Sequence, residues 1–354
     1  MDIDTQIGDD GVRQYMNRMV GNAKLREKLC LDVLAGKLNH AVILEGAKGT
    51  GKHTVAMNVA AALACTEKNR PDTDVPCGSC RGCKKVLEGK SPDVITIGCG
   101  TKATLGVDAI RVLREDVHTV PNDLDFKLYI IEDADKMTTQ AQNALLLTLE
   151  EPPSFVRFVL LCESADMLLE TIRSRAPVLR TEPIPNEELR HYICDNDRRA
   201  AQMQLTAPEE LSEIIMAADH GIGRALELLD AKTFAPVRDM RQLAVDFVSE
   251  ATDTPNVRRI FPLLTRFSQK RDILAKQLGC LSSAVNDLIL LKKADTAPLS
   301  FFADRDRATE ICDRCSVSFL YGLGNAVMTA IDSNSRNANV RLTLLKMVSD
   351  AGII

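Results

Sequence analysis

Two groups of residues in this sequence are of the right type and spacing to do chemistry. The first is GAKGTGKHT, residues 46 to 54. It follows the phosphate-loop pattern GxxxxGK[ST] at Gly46, Gly51 and Lys52 and breaks it one residue later, where His53 stands in place of a serine or threonine. Glycines let backbone N–H groups converge on phosphate oxygens, and a lysine adds a point charge. The missing hydroxyl is the group that would ligate magnesium, a hard ion that takes oxygen ligands, and a neutral imidazole substitutes for it poorly. Thr54 has the hydroxyl but is turned about 100° further around a helix. The loop residues Gly46, Lys48, Gly49, Thr50, Gly51, Lys52 and His53 are therefore expected to form a nucleotide phosphate site with a degenerate magnesium position.

The second group is Cys65, Cys77, Cys80 and Cys83, a C-x11-C-x2-C-x2-C arrangement. Two-residue gaps place thiolates around one tetrahedral ion, and four sulfurs leave no open position, so the spacing predicts structural zinc. The chain has 11 cysteines, an odd number, and a cytoplasmic chain keeps its thiols reduced, so metal is a better reading of the cluster than disulfides. Cys312 and Cys315 repeat the gap but have no second pair and sit in a helical stretch, which predicts two positions on one helix face. Beyond these groups lie the acidic pair Glu132-Asp133, either of which could meet a metal depending on strand register, and two arginines, Arg175 and Arg224. A planar cation beside a transferring phosphate completes many such sites, from within the chain or from a neighbour.

The elements needed to position these residues are legible. HAVILEG (40 to 46) reads as a strand running into the loop, and the Ala-rich stretch after it as a helix. KLYIIEDADKM (127 to 137) is a second strand, followed by a helix stopped at Pro152 and Pro153; VRFVLLCES (156 to 164) is a third, and Val178 to Thr181 a fourth. Alternating strands and helices predict a parallel sheet covered on both faces, with ligands at the carboxyl ends of the strands. After Pro183 and Pro185 strand signals stop. Three short helices follow, with Pro208 in a first turn and Gly221 as a C-terminal cap; longer helices run from about residue 240, broken near TDTPN and ADTAPLS. There is no internal repeat and no low-complexity tail.

The 354 residues suffice for two or three domains. With 44 basic and 49 acidic residues the net charge is -5, which argues against coating nucleic acid by charge alone, so DNA contact is expected to be local or shared. No apolar run approaches the ~18 residues of a membrane span, and the opening MDIDTQIGDDGVRQYM is acidic where a secretory signal is basic and then apolar. The expectation is a cytoplasmic protein without a membrane partner.

These residues, in this order, resemble the subunits of the bacterial DNA polymerase III clamp loader, an AAA+ assembly. The resemblance is carried by VGNAKLREKL, LNHAVILEGAKGTGK, the cysteine insertion PCGSCRGCKKVLEGKSPDV, IIEDADKMTTQAQNALLLTLEEPP, TIRSRAPVL and NANVRLTLLKM, spread over most of the chain. It favours the delta-prime branch, in which a degenerate loop is common, over the gamma/tau ATPase branch, which carries Lys-Ser or Lys-Thr at the places of Lys52 and His53. The resemblance implies a RecA-like α/β domain at 1–183 with its zinc insertion at 65–83, a helical lid at 184–238 and an all-α collar at 239–354. It implies partners in the gamma/tau and delta subunits, the sliding clamp and primed DNA. It also implies that Arg175 is an arginine finger acting in trans on the neighbouring subunit, a contribution of roughly 10³-fold or more in turnover. The sequence departs from the family in several ways: a longer gap after Cys65, Ala176 after Arg175 where cysteine is common, an inverted acidic pair at Glu132-Asp133, and Cys162-Glu163-Ser164 in place of a polar sensor. Those departures predict that the loop keeps its geometry while hydrolysis by this chain alone is absent or very slow. A stand-alone AAA+ ATPase such as a helicase loader would require an intact hydroxyl after Lys52; a pure zinc-binding module would leave TIRSR and the phosphate loop without purpose.

Overall fold

A computed structural model describes residues 16, 19–100, 102–253 and 257–353. It divides into two compact units, residues 1–188 and 189–354. The acidic opening stretch, residues 1–15, and residues 254–256 of the expected break at TDTPN lie outside the described residues.

The first unit contains α1 (Ala23–Leu34), β1 (Ala41–Glu45), α2 (Lys52–Ala64), α3 (Arg81–Leu87), β2 (Val94–Ile97), α4 (Val107–Asp116), β3 (Lys127–Ile131), α5 (Thr139–Glu150), β4 (Val156–Cys162), α6 (Glu170–Arg173) and β5 (Val178–Arg180). Its strands form one parallel sheet in the order β2-β3-β4-β1-β5. Side chains alternate across a strand, and the burial follows that period. Ala41 and Ile43 of β1, with Tyr129, Ile131, Phe158 and Leu160, pack against Ile110 and Leu113 of α4 and Leu145 of α5. Val42 and Leu44, with Leu128, Ile130, Val159 and Leu161, face Leu29 of α1 and Val55 and Val59 of α2. Strands buried on both faces need continuous apolar runs, which is why AVIL, LYII and FVLLC stood out in the sequence. The sheet has five strands where the sequence predicted four: β2 is a short edge strand, VITI, half-covered and too brief to carry a period.

The second unit is helical. α7 (Asn186–Asn196) begins at the junction and is followed by α8 (Arg198–Thr206), α9 (Pro208–Ala217), α10 (Ile222–Leu228), α11 (Ala231–Thr252), α12 (Val257–Arg266), α13 (Arg271–Lys293), α14 (Arg305–Asp313), α15 (Val317–Ser335) and α16 (Val340–Asp350). Pro208 occupies the first turn of α9 as predicted, since its missing N–H is unneeded there. Gly221 is not a C-terminal cap. The left-handed positions after α9 are taken by Asp219 (φ 48°) and His220 (φ 64°), and Gly221, at φ -98°, precedes α10 instead. Cys312 is buried at the end of α14, and Cys315 falls in the turn beyond it, so the expectation of two cysteines on one helix face holds only for Cys312. One core joins α11 from Leu243 onward with α13 to α16. α13 is long and apolar enough to cross a membrane by length and composition, contrary to the sequence expectation, but Leu274, Leu278, Leu281, Val285 and Leu288 line that core. The same helix buries Asp287, whose carboxylate accepts the N–H groups of Ser300, Phe301 and Phe302 and pins the stretch after ADTAP.

A similar carboxylate secures the sheet edge. Asp93, fully buried just before β2, accepts N–H groups from Asn122 (2.7 Å), Asp123 (2.7 Å) and Leu124 (2.8 Å), so it fixes the segment entering β3. Burial alone would raise its pKa, but the three backbone donors outweigh it and hold the carboxyl below its ordinary value. A group with a depressed folded pKa contributes stability that is present above its unfolded pKa, about 3.9, and is lost as pH falls through the lower folded value. Asp93→Asn should therefore cost the first unit about 1–3 kcal/mol at neutral pH, because an amide N–H₂ faces a buried donor. The deficit against the unsubstituted chain should shrink as pH drops below about 4. Urea unfolding at pH 7 and pH 3 measures this; a deficit unchanged across that range contradicts it.

Candidate nucleotide and metal sites

The phosphate loop is fixed from both sides by the strand order. β1 lies between β4 and β5, and where it ends the Gly46 N–H donates to the Cys162 carbonyl at 3.1 Å. On the other side, Thr181 after β5 donates its N–H to the Glu45 carbonyl at 2.8 Å and shares a 2.7 Å hydroxyl contact with Thr50. A Cβ on Gly46 would lie 2.1 Å from Thr181 Oγ1 and 2.9 Å from its carbonyl, so only glycine fits. Gly49 and Gly51 have φ of 90° and 81°, left-handed values that turn the chain into α2. Among the described residues no backbone carbonyl accepts the N–H groups of Lys48, Gly49, Gly51 or Lys52. Those free donors at a helix N-terminus fit a phosphate.

Lys52 folds back over the loop. Its ammonium donates to the Gly46 carbonyl at 2.5 Å and the Ala47 carbonyl at 2.7 Å. Burial lowers its pKa, and the charges of Glu163, Asp135 and Asp133 oppose that shift. His53 does not face the loop interior alone: its Nε2 is 3.7 Å from Glu132 Oε1. The register of β3 resolves the choice within the acidic pair. Glu132 follows the strand directly, donating its N–H to Ile97, and faces His53, whereas Asp133 sits at φ 50° and pairs with Lys136 at 2.7 Å. Thr54 is exposed on α2 and supplies no hydroxyl next to Lys52. The residues present thus fit a bound phosphate and do not fit a magnesium ligand after Lys52. Cys162 ends β4, where burial pushes its thiol up to about 12, a neutral group with little to offer a phosphate.

The four cysteines converge. Their sulfurs all lie within 4.8 Å of one another, including Cys65, despite its long gap to Cys77. Cys65 caps the C-terminus of α2 and Cys80 the N-terminus of α3, so the cluster ties the far end of the loop helix to the insertion. Gly82 packs so closely on that end that a Cβ would sit 2.2 Å from the Ala64 carbonyl. The Cys80 and Cys83 N–H groups point at the sulfurs of Cys77 and Cys80, both at 3.4 Å, the arrangement that stabilises thiolate. The Cys77 thiol, which burial alone would raise, is brought down to about 6 by the hydroxyl and N–H donors of Ser79 and Cys80. Burial raises Cys65 and Cys83, so an ion would draw protons from the two deeper sulfurs. The cluster can hold a metal ion.

Of the remaining predicted residues, two have partners of their own. Arg175, in the turn after α6, bonds to Glu150 at the end of α5. Arg224 belongs to the second unit, where it pairs with Glu227 along α10 at 3.0 Å. Lys48 is exposed on the loop. Sequence reasoning missed Thr181 and Glu150 as functional neighbours; both are remote in sequence from their partners and leave no local pattern.

Residues 21–185 match the family model described as DNA polymerase III, delta subunit. The chain is 26% identical over 275 residues to the gamma subunit of DNA polymerase III from Buchnera aphidicola (subsp. Schizaphis graminum), covering 78% of this chain and 72% of that protein. It is 35% identical over 187 residues to the delta' subunit from Escherichia coli, covering 51% and 55% respectively. The chain thus spans between half and three-quarters of these relatives' lengths. A solved gamma subunit-related protein from Thermotoga maritima aligns with a TM-score of 0.48 at 17% identity, over 92% of this chain and 97% of that one.

The crowding at Gly46 gives a direct test of the loop's architecture. Gly46→Ala should destabilise the first unit by about 1–3 kcal/mol, through overpacking against Thr181. Adding Thr181→Ala should recover part of that loss. Gly51→Ala, where space is open but φ is left-handed, should cost about 1–2 kcal/mol and show no such recovery. Denaturant midpoints of the single and double variants measure the coupling, and strictly additive losses at 46 and 181 would count against the packing described.

Proposed function

We propose that this chain, a relative of the gamma and delta' subunits of DNA polymerase III, works as a delta-prime-like subunit of a clamp loader. In that role it supports ATP-driven placement of a sliding clamp on primed DNA without hydrolysing ATP itself. The observation that carries the reading is His53 facing Glu132 across 3.7 Å. In a working site a hydroxyl at the first of these positions and a carboxylate at the second hold magnesium; here an imidazole occupies the first. A gamma/tau-type ATPase would need a hydroxyl at that point. The loop keeps donors for phosphate and serves as a scaffold, holding nucleotide weakly at most.

The catalytic contribution is assigned to Arg175, delivered in trans to the triphosphate site of an adjacent gamma/tau subunit. Its support is negative and positive at once: Arg175 makes its contacts at α5 and α6, away from the loop of its own chain, and its side chain is 35% exposed. Arg224 is proposed as a second cation toward nucleotide. Within the helical unit, the core that begins at Leu243 supports a collar from about residue 239, with α7 to α10 as the lid, although α11 runs continuously through that boundary. The gamma/tau and delta subunits, the clamp and primed DNA are the proposed partners, and the cytoplasm the proposed location. Zinc is the proposed ion for the four cysteines, since an all-thiolate tetrahedral set suits it and leaves no position for catalysis.

Three measurements check this reading. Protein purified without chelator should carry close to one zinc ion per chain, and Cys77→Ser should lower both the metal content and the melting temperature; a metal-free wild type would remove zinc from the account. The purified chain should show no magnesium-dependent ATP hydrolysis. Reconstituted with gamma/tau and delta subunits, Arg175→Ala should assemble normally yet reduce turnover at the one site it completes by roughly 10³-fold. Robust hydrolysis by the chain alone would reassign it to the gamma type, and an unchanged rate in Arg175→Ala would end the finger role.

A further inference from the structure

Both terminal nitrogens of Arg175 are already engaged from within the chain. Nη2 donates to Glu150 Oε1 at 2.7 Å; Nη1 donates to the Thr171 carbonyl at 2.9 Å and lies 3.4 Å from Ser174 Oγ. Neither end of the contact drifts freely. Glu150 is the last residue of α5, halted by Pro152 and Pro153, and Arg175 follows α6 in a turn closed by its own N–H to the Ile172 carbonyl at 3.0 Å. A guanidinium grips a phosphate with parallel N–H bonds from its fork, and a fork bonded to a carboxylate does not offer them. The same carboxylate offsets part of the charge that would stabilise a transferring phosphoryl group.

We infer that Glu150 is a positioning residue that biases Arg175 toward a withdrawn state, from which a phosphate outside the chain draws the guanidinium. The inference rests on the trans-finger reading above and adds a restraint to it. The pair is partly exposed, at 35% and 46%, so its hold is modest. Exposed ion pairs shift an equilibrium by about 1.5- to 5-fold, enough to damp idle turnover and little enough for a triphosphate to overcome. A modest restraint of this kind lowers the fraction of time the finger is available and leaves the nucleotide site of the neighbour intact.

The test uses the reconstituted loader without clamp or DNA. Wild type, Glu150→Gln, Arg175→Ala and the double variant are compared for ATP turnover, with Glu150→Asp as a variant that keeps the charge and shortens the reach. The part of the turnover that Arg175→Ala removes should rise about 1.5- to 5-fold in Glu150→Gln, through kcat with KM for ATP unchanged. The rise should vanish in the double variant, and higher ionic strength should narrow the gap between wild type and Glu150→Gln, because an exposed pair is screened. If Arg175→Ala lowers turnover while Glu150→Gln lowers it or leaves it unchanged, the restraint is wrong and the finger stands. If Arg175→Ala has no effect, the finger reading fails and takes the restraint with it.

Discussion

The phosphate loop depends on Gly46 having no side chain. β4 holds it through the Cys162 carbonyl, and the residue after β5 closes over it through Thr181, leaving no room for a Cβ. This steric constraint sets the path of the loop before any ligand is considered. A loop fixed by packing and backbone hydrogen bonds keeps its shape whether or not the residues along it still perform catalysis. That separation explains how His53 is accommodated: it sits beyond the constrained turn, on the first turn of α2, half-exposed beside Glu132.

The metal cluster extends the same logic to the other end of α2. Cys65 caps the helix that Lys52 begins, and Gly82 packs against its last turn. A helix of 13 residues spans roughly 20 Å, so an ion held by the four sulfurs would anchor the loop helix at a distance and take no part at the phosphate end. On the proposed reading the chain has kept the rigid parts of a nucleotide engine and given up the reactive ones. Its remaining chemical group is a guanidinium on a different face, at the junction of α5 and α6.

Much of this arrangement was legible from residue types. Doubly buried strands announce themselves as β-branched and aromatic runs, so β1, β3 and β4 were readable, and so was the loop between β1 and α2. The cysteine spacing was readable even with its long first gap, because two-residue steps constrain geometry whatever precedes them. β2 was not readable: four residues at a sheet edge, three half-covered and Thr96 exposed, carry no clear period, and the strand is fixed by Asp93 reaching the segment ahead of β3. Gly221 was misassigned because a glycine after a helix commonly caps it; here Asp219 and His220 adopt the left-handed conformation instead. Which acid of Glu132-Asp133 meets the loop is a question of register, and the pairing of Arg175 with Glu150 spans 25 positions. Neither leaves a trace in a local window.

The measurement that bears most directly on the central claim is the structure of the assembled loader with an ATP transition-state analogue bound. The account predicts Arg175 released from Glu150, with its guanidinium within hydrogen-bond distance of the terminal phosphate on the adjacent subunit, and no magnesium-bearing triphosphate in this chain's own loop. Arg175 still bonded to Glu150, with the neighbour's phosphate met by some other group, would contradict it.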